Sequence, residues 1–172
     1  MMFLLDVNAL LALAYEEHVH HARVDAWASK VEAELGTDHV VFSTCPITEL
    51  GLLRVASGKA GHAVSVDAAR ADLRVLKSKW NMVFIPDDVH THDLPAWVGK
   101  SPQTTDGYLL ALAKSHGGYL ATLDRFIPDA TLITEEATGP IVVREESVVD
   151  AEWAVQAYGK ADRSQSRGIA MR

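Results

Sequence analysis

The chain has 172 residues, 48% of them hydrophobic and 23% charged, and a formal net charge of −7. That length can bury a sizeable core without cross-links, and no segment is long and apolar enough to cross a bilayer. The charge argues against a surface that grips nucleic acid everywhere, yet it permits a local basic strip beside an acidic site and favours a basic partner. A single cysteine, Cys45, excludes an intramolecular disulfide and a cysteine-rich zinc module, in keeping with a reducing cytoplasm.

In chain order, MFLLDV predicts a strand running directly into the helix ALLALAY, with Asn8 as a candidate cap. The apolar opening lacks a basic leader and carries Asp6 and Asn8 in its middle, which favours a buried strand and helix over a secretory signal. Across residues 18–35 the apolar positions Val24, Trp27, Ala28, Val31 and Leu35 recur at helical spacing, and Gly36 supplies the stop. HVVFS, residues 39–43, predicts a second strand. Pro46 suits the first turn of a helix reaching Gly58, residues 65–80 form another amphipathic helix, and NMVFI is a third strand. Thr104 or Thr105 can cap the helix DGYLLALAKSH, which stops at Gly117 and Gly118 before the strand YLAT. TLI and IVVRE can add an edge strand, and residues 150–172 read as a short helix with a polar, mobile tail.

Alternating strands and helices imply an α/β fold: a largely parallel sheet covered on both faces, with ligands binding beyond the strands' C-terminal ends. Asp6 and Asp124 each close an apolar strand and fall on that edge. Helical spacing puts Leu52, Leu53 and Ala56 on the face of Glu49, and Leu109, Leu110 and Ala113 on the face of Asp106, so both acids point inward. Singly, each acid has a bland reading: Asp6 as a cap, Asp106 at a helix dipole, Glu49 paired with Arg54, Asp124 paired with Arg125. Convergence at one edge would instead leave mutual repulsion that a cation relieves. Oxygen-only ligands favour Mg²⁺ or Mn²⁺ over Zn²⁺. His18, His20, His21, His90 and His92 do not have the spacing of a zinc site, and Trp27, Trp80, Trp97 and Trp153 suit core or interface positions better than base stacking.

The early DVNALLAL, the middle TELGLLR and the late TTDGYLLALAKSHGGYLATLDRF together resemble the PIN-domain family, and most closely VapC-type toxins; HVHHARVDAW is similar to the segment following the first motif in those toxins. The likeness covers roughly the first three quarters of the chain, in the right order. It implies a PIN-like three-layer α/β/α fold over residues 1–145, with 146–172 as a C-terminal extension. Carried over by position, the acidic quartet falls on Asp6, Glu49, Asp106 and Asp124, with Thr122 at a hydroxyl position near the metal and Asn8 at the polar position after the first acid. Gly107, after Asp106, and Leu123, before Asp124, depart from the residues more usual at those positions in the family, and neither removes a ligand.

The resemblance implies a metal-dependent endoribonuclease that acts as the toxin of a type II toxin-antitoxin pair, with an RNA substrate and a cognate antitoxin; the apolar helices are compatible with a homodimer. Hydrolysis by water activated at the ion would leave 3′-hydroxyl and 5′-phosphate ends. Asp6, Asp106 and Asp124 are the main expected ligands; Glu49 would serve a second ion or orient the nucleophile, and Thr122 would position a ligand or a phosphate oxygen. Arg54 and Arg125 are candidates for phosphate contacts, against the equal alternative that each pairs with its neighbouring acid. Two further function classes stand beside the toxin: a PIN nuclease for RNA processing, and a non-catalytic PIN-like module that binds RNA or protein.

Overall fold

The computed structural model of the chain describes residues 1–59 and 61–134. The readings of IVVRE, of Trp153 and of the C-terminal extension lie outside those residues. Five strands form one sheet: β1 (Met2–Leu5), β2 (Val41–Thr44), β3 (Val83–Phe84), β4 (Tyr119–Thr122) and β5 (Thr131–Leu132). Their order is β3-β2-β1-β4-β5, and every pairing is parallel. The helices are α1 (Val7–Ala14), α2 (His21–Leu35), α3 (Pro46–Ala56), α4 (Val66–Lys79) and α5 (Thr104–Ser115). None of them is long and apolar enough to cross a membrane.

Strand β1 lies at the centre, with Phe3 opposite both Phe42 and Tyr119. Successive side chains on a strand point to opposite faces, and the four apolar residues of β1 therefore seed two cores. Phe3 and Leu5 belong to a cluster built with α1, α2, α3 and α4. There the Phe3 and Trp27 rings meet edge to face, with centroids 5.4 Å apart, and Phe42 meets Trp80 the same way at 5.6 Å. Met2 and Leu4 belong to the opposite cluster, with Leu109, Leu110 and Leu112 of α5 and with Ile85 and Ile127. The result is the three-layer α/β/α arrangement expected from the alternating pattern.

Strand β4 coincides with the predicted YLAT, and Gly117, at φ 64°, makes the left-handed turn into it. Three local readings are corrected. The cap of α1 is Asp6, whose carboxylate accepts from the Ala9 N–H, while Asn8 lies within the first turn and is exposed. The backbone becomes helical directly after Asp6, which leaves Asp6, and not Asn8, with the extended conformation a cap needs. Helix α2 begins at His21 rather than at residue 18, after a turn in which the His21 N–H donates to the His18 carbonyl. Thr104 and Thr105 do not cap α5: a 3₁₀ turn over Ser101–Gln103 feeds straight into the helix, and the Thr104 hydroxyl donates to the Ser101 carbonyl.

Two glycines set how closely the layers approach. A Cβ on Gly51 would lie 2.5 Å from Cγ2 of Val7, so α3 crosses α1 in direct backbone-to-side-chain contact. A Cβ on Gly107 would lie 2.2 Å from Cγ2 of Val98, which accounts for glycine beside Asp106 where the family more often carries a side chain. Both valines are β-branched and have little freedom to turn aside. Gly51→Ala is therefore expected to destabilise the fold by about 1–3 kcal/mol through overpacking; a urea midpoint unchanged from wild type would contradict the close crossing.

Candidate functional site

The Asp6 N–H donates to the Ala121 carbonyl at 3.1 Å, carrying the β1–β4 ladder one residue beyond β1. This pairing fixes Asp6 beside the end of β4. Its carboxylate is buried and accepts two hydrogen bonds, from the Ala9 N–H at 2.6 Å and from the Thr122 hydroxyl at 2.5 Å. The same Thr122 oxygen accepts from the Asp124 N–H at 2.9 Å. One hydroxyl thus joins the first and last expected acids, whose positions are 118 residues apart in sequence, across adjacent strand ends. Asp124 in turn closes its own loop: Oδ1 accepts from the Phe126 N–H at 2.8 Å.

Electrostatics extends the set to Asp106, in the first turn of α5. Burial pushes the Asp6 carboxyl above its ordinary range; the bonds from Thr122 and Ala9 oppose the rise, and the charge of Asp106 adds to it. Asp106 is likewise pushed up, first by burial and then by the charge of Asp124. Among the described residues no Lys, Arg or His forms an ion pair with any of these three acids. Arg125 instead lies over the Phe126 ring, 4.8 Å from its centroid, and does not pair with Asp124.

Glu49 stands at the same edge with a different environment. Thr44, the last residue of β2, donates its hydroxyl to Glu49 Oε1 at 2.6 Å, and Lys77 of α4 places its ammonium 2.5 Å from the same oxygen. The pairing of Glu49 with Arg54 is therefore corrected. An interval of five positions turns Arg54 away from Glu49, and Arg54 is exposed, whereas α4 packs against α3 and delivers Lys77 from the other side. Oε2 of Glu49 has no protein partner among the described residues. Lys77 is the residue that sequence reasoning missed. Its only local signal is a place in the last turn of an amphipathic helix, and nothing there names an acid 28 positions earlier.

The donor chemistry fits a hard divalent ion: carboxylate and hydroxyl oxygens, one carboxylate deeply buried, and charges raised against one another without a protein cation among three of them. The four acids do not close into one shell, and among the described residues no three His, Cys, Asp or Glu side chains stand close enough to hold a single ion. That holds for the histidines as well. His62 stacks on Tyr15 at 4.0 Å and bonds Glu17 at 2.9 Å, while the His20 N–H donates to His18 Nδ1.

Because its carboxyl is raised, Asp6 contributes stability in its protonated form, fully present below the ordinary aspartate pKa and lost as pH rises through the shifted value. Asp6→Asn keeps an acceptor for the Ala9 N–H and sets an amide NH2 against Thr122 Oγ1, which can accept from it. In buffer free of divalent ions it is expected to melt above wild type near neutral pH and to lose that advantage toward about pH 4. Calorimetry across that range checks the sign, and equal melting at neutral pH would contradict it.

A model of the PIN domain matches residues 3–131, which include all four acids. Among curated relatives from Mycobacterium tuberculosis, Ribonuclease VapC38 of strain ATCC 25618 / H37Rv is 41% identical over 127 residues, 72% of this chain and 85% of its own length. Ribonuclease VapC39 of the same strain is 36% identical over 137 residues, covering 76% and 94%. A solved structure of FitAB bound to an IR36 DNA fragment aligns with 72% of this chain and 85% of its own, at 25% identity and a TM-score of 0.43, a likeness too loose to place any residue. With its parallel sheet, its acids at the strand ends and this extent of identity, the chain belongs to the PIN-domain family, among the VapC-type ribonucleases.

Proposed function

We propose that the chain is the toxin of a type II toxin-antitoxin pair, a cytoplasmic endoribonuclease that depends on Mg²⁺ or Mn²⁺ and arrests growth by hydrolysing RNA. The observation that carries the reading is the Thr122 hydroxyl holding Asp6 and Asp124 at adjacent strand ends, with a buried carboxylate and, among the described residues, no cation paired with Asp6, Asp106 or Asp124.

In this reading the metal would be held by carboxylate oxygens drawn from Asp6, Asp106 and Asp124 together with water and phosphate oxygens, not by one closed shell of protein ligands. When bound, a divalent ion supplies Lewis acidity to a water molecule and to the phosphate. Thr122 keeps the Asp6 carboxylate in one orientation. Glu49, anchored through Oε1 by Thr44 and Lys77, presents Oε2 as the acceptor that draws a proton from the attacking water. Asn8, exposed two residues beyond Asp6, and Arg125, beside Asp124, are placed to contact the RNA; Arg54, exposed on α3, offers a more distant phosphate contact. The inhibitor is a cognate antitoxin, to which exposed Leu50 and Val75 on α3 and α4 offer apolar surface, as they do to a second copy in a homodimer.

Mn²⁺ is expected to raise the melting temperature of wild type but not of Asp6→Asn, reversing the order seen without metal. Purified protein should cleave structured RNA with Mg²⁺ or Mn²⁺, stop in excess chelator, and lose about a hundredfold or more in rate on Asp6→Asn. Sequencing RNA 5′ ends after brief induction of wild type and Asp6→Asn identifies the target. Full activity in chelator, or 2′,3′-cyclic phosphate products, would refute the metal mechanism. Harmless induction together with an RNA maturation defect on deletion would assign the nuclease to processing instead.

A further inference from the structure

Most ion pairs among the described residues lie open to solvent on at least one side. Lys77–Glu49 does not: its two side chains are 26% and 22% exposed, whereas each of the others has a partner at least 37% exposed. A carboxylate oxygen offers two lone pairs, and both at Glu49 Oε1 are taken, one by the Thr44 hydroxyl at 2.6 Å and one by the Lys77 ammonium at 2.5 Å. Only Oε2 is left open among the described residues.

Lys77 is held from a second direction that does not involve the acid. Its ammonium lies over the ring of Phe84, 5.2 Å from the centroid, and Phe84 stands opposite Thr44 where β3 pairs with β2. One rung at the edge of the sheet therefore supplies both the hydroxyl that bonds Oε1 and the ring that receives Nζ. Ordering a long lysine side chain costs rotamer entropy, and a lysine serving solubility alone would extend into water. Lys77 is instead drawn from the last turn of α4 to a fixed place between an aromatic ring and a carboxylate.

Resting on the nuclease reading above, we propose that Lys77 is a resident cation of the acidic edge: its ammonium takes the place at Glu49 that a second divalent ion would need, so the edge binds one such ion, on the side of Asp6, Asp106 and Asp124. A second ion bound through both oxygens of Glu49 would have to expel the Thr44 hydroxyl and the ammonium together. An ion on Oε2 alone would share one carboxylate with an ammonium, and the repulsion between the two cations weakens it. Asp6, Asp106 and Asp124 have no ion-paired cation among the described residues and carry no such obstacle. Lys77 is then a positioning residue that acts through Glu49, reserving Oε2 for a proton rather than for a metal.

The test counts Mn²⁺ bound per full-length chain by calorimetric titration without RNA, and electron paramagnetic resonance reads whether bound ions lie close together. Wild type is expected to bind one Mn²⁺ with the spectrum of an isolated ion. Lys77→Met, which keeps the unbranched stem and removes the charge, is expected to bind two, with signals broadened by their proximity. The second ion should vanish again in Lys77→Met/Glu49→Gln. Lys79→Met removes a charge near the end of the same helix, where Lys79 lies 3.6 Å from Asp25, and should still bind one, which separates a local effect from a change in net charge. Two Mn²⁺ on wild type would overturn the proposal without recourse to any variant, as would a single ion on folded Lys77→Met or a second ion that persists without Glu49. If the counts are one and two but neither protein cleaves RNA, the nuclease reading fails and the resident cation stands; metal-dependent cleavage by wild type carrying two ions gives the reverse. No Mn²⁺ on either protein would refute both.

Discussion

The structure turns on a single hydroxyl. Thr122 donates to one buried carboxylate and accepts from the backbone of the residue that bears another, and it can do both only because β1 and β4 are parallel neighbours in the register that sets Leu5 opposite Ala121. A slip of one residue would turn Thr122 to the other face of the sheet and break both bonds. The leucines and aromatics of the two cores are, from this viewpoint, what maintains that register. The alternation within β1, two side chains to each face, lets a strand of four residues anchor both layers at once.

Burial and charge oppose each other at this edge. A carboxylate removed from water is costly unless it is bonded or paired, and Asp6 receives two neutral donors but no cation among the described residues. The raised carboxyls of Asp6 and Asp106 are the chemical record of that shortfall. Glu49 shows the alternative solution, a lysine brought in from a separate helix. Among the described residues the edge therefore contains one acid paired with a cation and three that are not, a division the PIN motifs do not reveal.

Much of this was legible in the sequence, and the failures share a cause. Strand YLAT and the stop at Gly117 follow from local apolar runs and glycine, and the four acids stand out because each interrupts an apolar stretch. Asn8 was a plausible cap by residue type, but the choice between Asn8 and Asp6 depends on where the strand's extended backbone ends. Thr104 was displaced from its expected role by a 3₁₀ turn that begins earlier. Lys77 was out of reach altogether, because its partner is chosen by how α4 leans on α3, and no local pattern encodes a contact across 28 residues. Gly107, which looked like a departure from the family, is explained only once Val98 is found against it.

The Lys77–Glu49 pair has a consequence for any polyanion approaching this edge. Four carboxylates facing a phosphodiester would have to be offset entirely by ions recruited from solution, making occupancy steeply dependent on metal concentration. A covalently attached ammonium removes one quarter of that formal charge at every metal concentration, and it does so at the acid nearest the sheet's β2 side. The acids at the edge are thereby unequal before any ion arrives: Glu49, beside α3, carries its own ammonium, whereas Asp6 and Asp124 at the ends of β1 and β4 have no ion-paired cation among the described residues, so the two sides of the edge differ in how much they ask of ions from solution.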